Sequence, residues 1–147
     1  MPGDRWSAWP RATRAERLVQ GLVAAVLAAG LAAGLVLVPS PTGTGTHTIL
    51  GLPPCGMLVT TGHPCPTCGV TTSFVLAAHG RFGDALVNQP FGLVVFLMVV
   101  GGMLLAVATV VAGRSWILLL TPRRVVAAAV VLFVLAMASW AYRWTVE

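Results

Sequence analysis

The sequence holds three cysteines and three histidines, and all six fall between Pro39 and Pro90. Most of them gather in one run, Pro54-Cys55-Gly56-Met57-Leu58-Val59-Thr60-Thr61-Gly62-His63-Pro64-Cys65-Pro66-Thr67-Cys68-Gly69. Cys65 and Cys68 form a C-P-x-C pair, with Cys55 ten residues upstream and His63 two residues before Cys65. A C-x-x-C pair can cycle between dithiol and disulfide, or it can hold a metal. If Pro66 opens a helix that runs on through Phe74, Cys68 falls in its first turn. Unpaired N–H groups and the positive end of the helix dipole stabilise a thiolate there.

Three readings of this pattern stand side by side. In the structural or accessory reading, Cys55, Cys65 and Cys68 fix the loop through one disulfide or through buried thiols. Outside the cytoplasm a pair three residues apart tends to oxidise, which leaves an odd third cysteine to explain. In the redox reading, Cys65 and Cys68 exchange disulfides and one of them is the nucleophile. No βαβ pattern surrounds the pair, so a thioredoxin-like fold is excluded. In the metal reading, Cys55, Cys65, Cys68 and His63 make a Cys3His set for zinc, the ligand number of a closed tetrahedral site. His63 is an awkward chelate partner so close to Cys65. His47 and His79 read as ordinary loop and helix-end residues, and Arg81, Asp84 and Asn88 as polar contacts at a membrane surface. With Asp84 the one carboxylate between Pro39 and Pro90, a paired-acid hydrolase is excluded. P-loop and G-x-S-x-G patterns are absent too, so the sequence points away from a standard hydrolytic enzyme.

The elements that must position these residues follow from composition. The 147 residues are 57% hydrophobic and 9% charged, with a mean hydropathy of +0.89. A soluble domain is about 45–50% apolar and about 25% charged, and one this small cannot hide such an excess from water. A lipid bilayer is the remaining solvent. The net charge of +5 comes from nine arginines with no lysine, a usage that points to a GC-rich bacterial genome. These arginines flank apolar runs instead of lining one face with interleaved aromatics, so anionic headgroups, not nucleic acid, are the expected partner.

The expected fold is all-α: an integral membrane protein with three transmembrane helices, plus one or two short interfacial or re-entrant helices in the Cys-containing loop. Residues 1–17 form a basic arm with Arg5, Arg11, Arg14 and Arg17 around Trp6 and Trp9, and residues 18–147 form a single three-span domain. The first span, residues 18–38, is long enough at about 31 Å to cross the hydrocarbon core. It is also too long for the apolar part of a cleaved signal, so a retained anchor is expected. Pro39 and Pro41 stop it. Residues 39–90 make the Cys loop, in which Gly69–His79 is too short to span and Phe82–Gln89 forms one more short helix. Pro90 opens the second span, 91–112, since a missing N–H costs nothing at a first helical position. Trp116–Leu120 is an apolar stretch suited to the interface. Thr121-Pro122 begins the third span, 125–142, which ends in Trp140, Tyr142 and Trp144 as an aromatic belt. Placing the N-terminus in the cytoplasm puts seven arginines inside and two, Arg81 and Arg143, outside. The Cys loop and the C-terminus then face outward from a bacterial cytoplasmic membrane. Gly30 with Gly34, and Gly102 with Ala106, have the small-residue spacing that lets helices approach closely. That packing serves the chain itself, or a second copy or another membrane protein.

The run Thr61-Gly62-His63-Pro64-Cys65-Pro66-Thr67-Cys68-Gly69-Val70-Thr71, followed by His79-Gly80, Ala85-Leu86 and Gln89-Pro90, resembles a bacterial membrane family called domain of unknown function 2752. The resemblance covers roughly Cys55 to Val100. It implies a membrane location and a shared cysteine site, and it brings no established activity. Thr72 stands where that family usually has arginine, and Gln89 where it usually has asparagine.

Overall fold

The computed structural model describes residues 9–116 and 120–146. Arg5 and Trp6 of the basic arm, and residues 117–119 of the apolar stretch after Trp116, lie outside the described residues. Among the described residues the chain is all helical, with six α-helices and no β-strand. Three of these helices are long and apolar enough to cross a membrane.

The first long helix, α1 (Arg14–Val36), starts earlier than the apolar run because Thr13 caps it. Thr13 Oγ1 accepts from the Glu16 N–H at 3.2 Å, and the Thr13 N–H returns a 2.7 Å bond to Glu16 Oε2. This reciprocal capping box satisfies two amides that a helix start would otherwise leave open. The helix ends two residues short of Val38, where Leu37 is already extended at ψ 140°, and Pro39 beyond it blocks any return to the helix.

The second, α5 (Pro90–Ala112), carries proline at its first position as expected. It stops where Gly113 turns left-handed at φ +64°, with the Arg114 N–H closing on Thr109 O at 3.0 Å. The third, α6 (Pro122–Val146), is longer than the expected 125–142 at both ends.

α1 and α5 run antiparallel. Next to their arginine-bearing ends, the Ala12 N–H meets Gly113 O at 2.9 Å and the Ser115 N–H meets Pro10 O at 3.0 Å. Gln20, fully buried within the first span, donates from Nε2 to Arg114 O at 3.1 Å. Small residues set the approach of the helices. A Cβ on Gly102 would stand 3.3 Å from Leu27 Cδ1, and Ala106 is buried nearby. Gly34 receives the ring of Phe74, with a Cβ position 2.8 Å from Cε1, whereas Gly30 meets nothing within 4 Å. Of the expected G-x-x-x-G pair, only Gly34 is in close contact.

The stretch between α1 and α5 is mostly helical. It holds a 3-10 turn (Thr46–Leu50), α2 (Gly56–Thr61), α3 (Val70–Ala78) and α4 (Phe82–Asn88). The two short helices expected there are α3 and α4; α2 and the 3-10 turn are additional. α3 lies across the loop-side ends of α1 and α5. Val75, Leu76, Ala77 and Ala85 form the buried centre, with Leu93 and Phe96 against it. The crossing of α3 over α5 is close, since a Cβ on Gly92 would fall 2.6 Å from Ser73 Cβ and 2.7 Å from Val70 O.

α6 joins this body at its C-terminal end. Leu135, Ala138, Ser139 and Tyr142 face Pro90, Phe91 and Val94 of α5. Further back, Val125, Val126, Val130, Val131, Phe133 and Val134 are exposed, as suits side chains bathed in lipid.

Candidate functional site

Two separate segments deliver the thiols. Cys55 is the N-cap of α2, with extended backbone at φ −62°, ψ 117°. α2 lasts only to Thr61, where Gly62 at φ +73° reverses the chain and its N–H closes on Leu58 O. The returning strand of residues carries His63, Pro64 and Cys65 into a turn, closed by the Cys68 N–H on Cys65 O at 3.0 Å. Gly69 then adopts φ +89° and caps α3. This left-handed residue stops the turn from merging with the helix, so α3 begins at Val70 instead of Pro66. Cys68 therefore precedes the helix and does not sit in its first turn, contrary to the expectation above.

The Sγ atoms of Cys55, Cys65 and Cys68 all lie within 4.8 Å of one another. Cys65 Sγ is 3.2 Å from Cys68 Sγ and 3.2 Å from Thr67 Oγ1, and no two of the three are bridged. They face a cavity of about 330 Å³ that is also lined by His47, Thr67, Val70 and Thr71.

The two thiols of the C-x-x-C pair are electrostatically unequal. Partial burial opposes ionisation of Cys65, but hydrogen bonds from the Thr67 hydroxyl, the Cys68 and Cys55 thiols and the Thr67 backbone outweigh it. The Cys65 thiol is pulled down to about 7. Cys68 is pushed up to about 12, by burial first and then by its role as the donor to Cys65 and Cys55. The thiolate character expected at Cys68 from a helix dipole thus belongs to Cys65, and side-chain donors produce it.

His63 does not join the three thiols. Its ring stacks on Trp144 of α6, with centroids 4.8 Å apart and planes at 16°. His79 is the C-cap of α3 and bonds through Nδ1 to Val75 O at 2.9 Å, as a helix-end residue does. Arg81 and Asp84 form an exposed ion pair at 2.7 Å.

Asn88 departs from its expected surface role and turns inward, donating to Gly69 O at 3.2 Å and to Ser73 Oγ at 2.8 Å. Arg143 of α6 donates to Asn88 O at 3.0 Å. Gln89 is fully buried, donating to Pro66 O at 3.3 Å and accepting from Ser139 Oγ at 2.6 Å. Trp140 Nε1 donates to Pro64 O at 2.9 Å, and the Tyr142 hydroxyl to Val87 O at 3.1 Å. Of the three aromatic residues expected to make a lipid belt, Trp140 and Trp144 therefore clasp the cysteine turn, and Tyr142 holds α4.

Sequence reasoning passed over Ser139, Gln89 and Arg143 as supports of this turn. Their signal was available: a polar side chain inside or beside an apolar span needs an internal partner, because the bilayer core supplies none.

Residues 55–103 match the family model described as a protein of unknown function (DUF2752), the family that the sequence resembles over nearly the same stretch. No curated protein and no solved structure matches the chain.

Proposed function

We propose that this protein is a membrane-anchored metal-binding module, in which Cys55, Cys65 and Cys68 supply three sulfur ligands to a divalent cation of the zinc class. The convergence of the three thiols, delivered by two segments ten residues apart, carries this reading. Tetrahedral zinc with ligands at about 2.3 Å needs sulfurs roughly 3.8 Å apart, close to the spacing available here. The bound ion would staple the start of α2 to the turn before α3, a structural or accessory task. The arginine bias supports a cytoplasmic N-terminus, with one three-span domain presenting the site on the outer face of a bacterial cytoplasmic membrane.

The test is the metal content of the full chain, purified in detergent without chelator or metal-affinity resin. About one zinc per chain, lost in Cys65→Ser and Cys55→Ser, is the expected result. Metal-free wild-type protein that stays monodisperse would sink the reading.

The unequal thiols favour a second reading, dithiol–disulfide exchange. Cys65 thiolate attacks a substrate disulfide, and one substrate sulfur leaves as thiolate. Cys68 then gives up its proton and attacks Cys65 Sγ, releasing the second substrate sulfur. Two electrons pass to the substrate and a Cys65–Cys68 disulfide remains. Cys68→Ser would trap the mixed disulfide, and failure to capture any partner removes this reading.

A further inference from the structure

We infer that His47 is the fourth protein ligand of the thiol site, which makes it a closed Cys3His centre for a zinc-class cation. This inference rests on the metal reading above and names a residue that sequence proximity passes over. Three thiolates, their protons released to solvent on binding, leave a tetrahedral cation one position short. His47 lines the same cavity as the three thiols, although it lies 8 residues before Cys55 in the chain. Neither of the other two imidazoles lines this cavity: His63 stacks on Trp144, and His79 bonds Val75 O at the C-terminus of α3.

The surroundings of His47 suit a ligand. Its Nε2 lies 3.2 Å from Pro53 O. A proton held on Nε2 by that carbonyl leaves the lone pair on Nδ1, and metal-bound histidines are commonly fixed in this way through their second ring nitrogen. The 3-10 turn that carries His47 is itself anchored. Its first residue, Thr46, is fully buried, and Thr46 Oγ1 pairs with Thr72 Oγ1 at 2.8 Å while accepting from the Ser40 N–H at 3.0 Å. Thr72 sits on α3, four residues beyond Cys68. The turn bearing the imidazole is thus bonded to the same helix that follows the thiols. Leaving either buried hydroxyl without its partner is costly, so this docking is specified and not incidental.

Cobalt(II) titration of the full chain in detergent, under reductant and without oxygen, reads the ligand set directly. Wild type is expected to bind one cobalt per chain with the visible bands of a tetrahedral site of three sulfurs and one nitrogen. His47→Ala should weaken binding by about tenfold or more, the scale on which a lost supporting group shows in metal sites. His47→Cys should restore tight binding with bands shifted towards a four-sulfur site, and His63→Ala should match wild type. Wild-type binding with His47→Ala unchanged in affinity and spectrum overturns this inference alone, as does a loss confined to His63→Ala. Failure of wild type to bind cobalt or zinc overturns both it and the three-thiol reading.

Discussion

Ser139 Oγ donates a 2.6 Å hydrogen bond to Gln89 Oε1, and both side chains are buried. Ser139 also accepts from the Phe91 N–H at 3.1 Å, and Gln89 reaches on to Pro66 O between the two cysteines of the C-x-x-C pair. One hydroxyl on the third span is therefore a single side chain, Gln89, away from the thiol turn. Ser139→Ala leaves a buried amide oxygen and an amide N–H without that partner, at about 1–3 kcal/mol. The expected outcome is a lower melting temperature in detergent together with a changed alkylation rate at Cys65, the neighbour of Pro66. An unchanged Cys65 labelling rate would show that the span does not hold the turn.

The crossing of α3 over α5 makes a sharper demand. A Cβ at Gly92 meets Val70 backbone and Ser73, neither of which is a flexible side-chain end. Gly92→Ala should cost about 1–3 kcal/mol, the range for overpacking a closed contact. Gly101→Ala on the same helix has open space and should be neutral or slightly stabilising. Thermal unfolding of the two variants side by side checks the contrast.

Thiol reactivity should follow the unequal electrostatics. The thiolate is the reactive form, so in metal-free protein alkylation of Cys65 should climb as pH rises through about 7. An ordinary cysteine does so near 8.5. Cys68, pushed up to about 12, should stay unlabelled at pH 9. With metal bound the sign reverses: protons compete for the same sulfurs, so release should grow as pH falls. Mass-spectrometric mapping of labelled sites over a pH series follows both.

Sidedness can be tested on intact cells. With the basic end inside, a membrane-impermeant maleimide should reach a cysteine placed at Val59, an exposed position on α2, in a variant otherwise lacking cysteine. A cysteine at Arg114 should label only after permeabilisation. The reverse pattern would invert the topology.

The three spans and the cysteine cluster were legible because each depends on local signals, apolar length in one case and spacing in the other. Even some local signals went unread. Thr13 and Glu16 stand three apart as a capping box, and Gly69 directly after Cys68 is the residue type that separates a turn from a helix. The support of the site was not legible for a different reason. Trp140, Tyr142 and Trp144 at the end of an apolar helix look the same whether they face headgroups or, as here, Pro64, Val87 and His63. His47 and His63 differ in the opposite way: the nearer one in sequence is drawn onto Trp144, and the farther one shares the thiol cavity.

The grip of α6 on the cysteine turn also has a meaning in time. A ribosome delivers Pro64, Cys65, Cys68 and Gln89 well before Ser139, Trp140 and Arg143. During that interval the turn lacks the indole that later bonds Pro64 O, and Asn88 and Gln89, which brace it, lack the guanidinium and hydroxyl that hold them. The bracing of the turn is complete only once the last span is in place, and a chain arrested before that step carries the same cysteines without it.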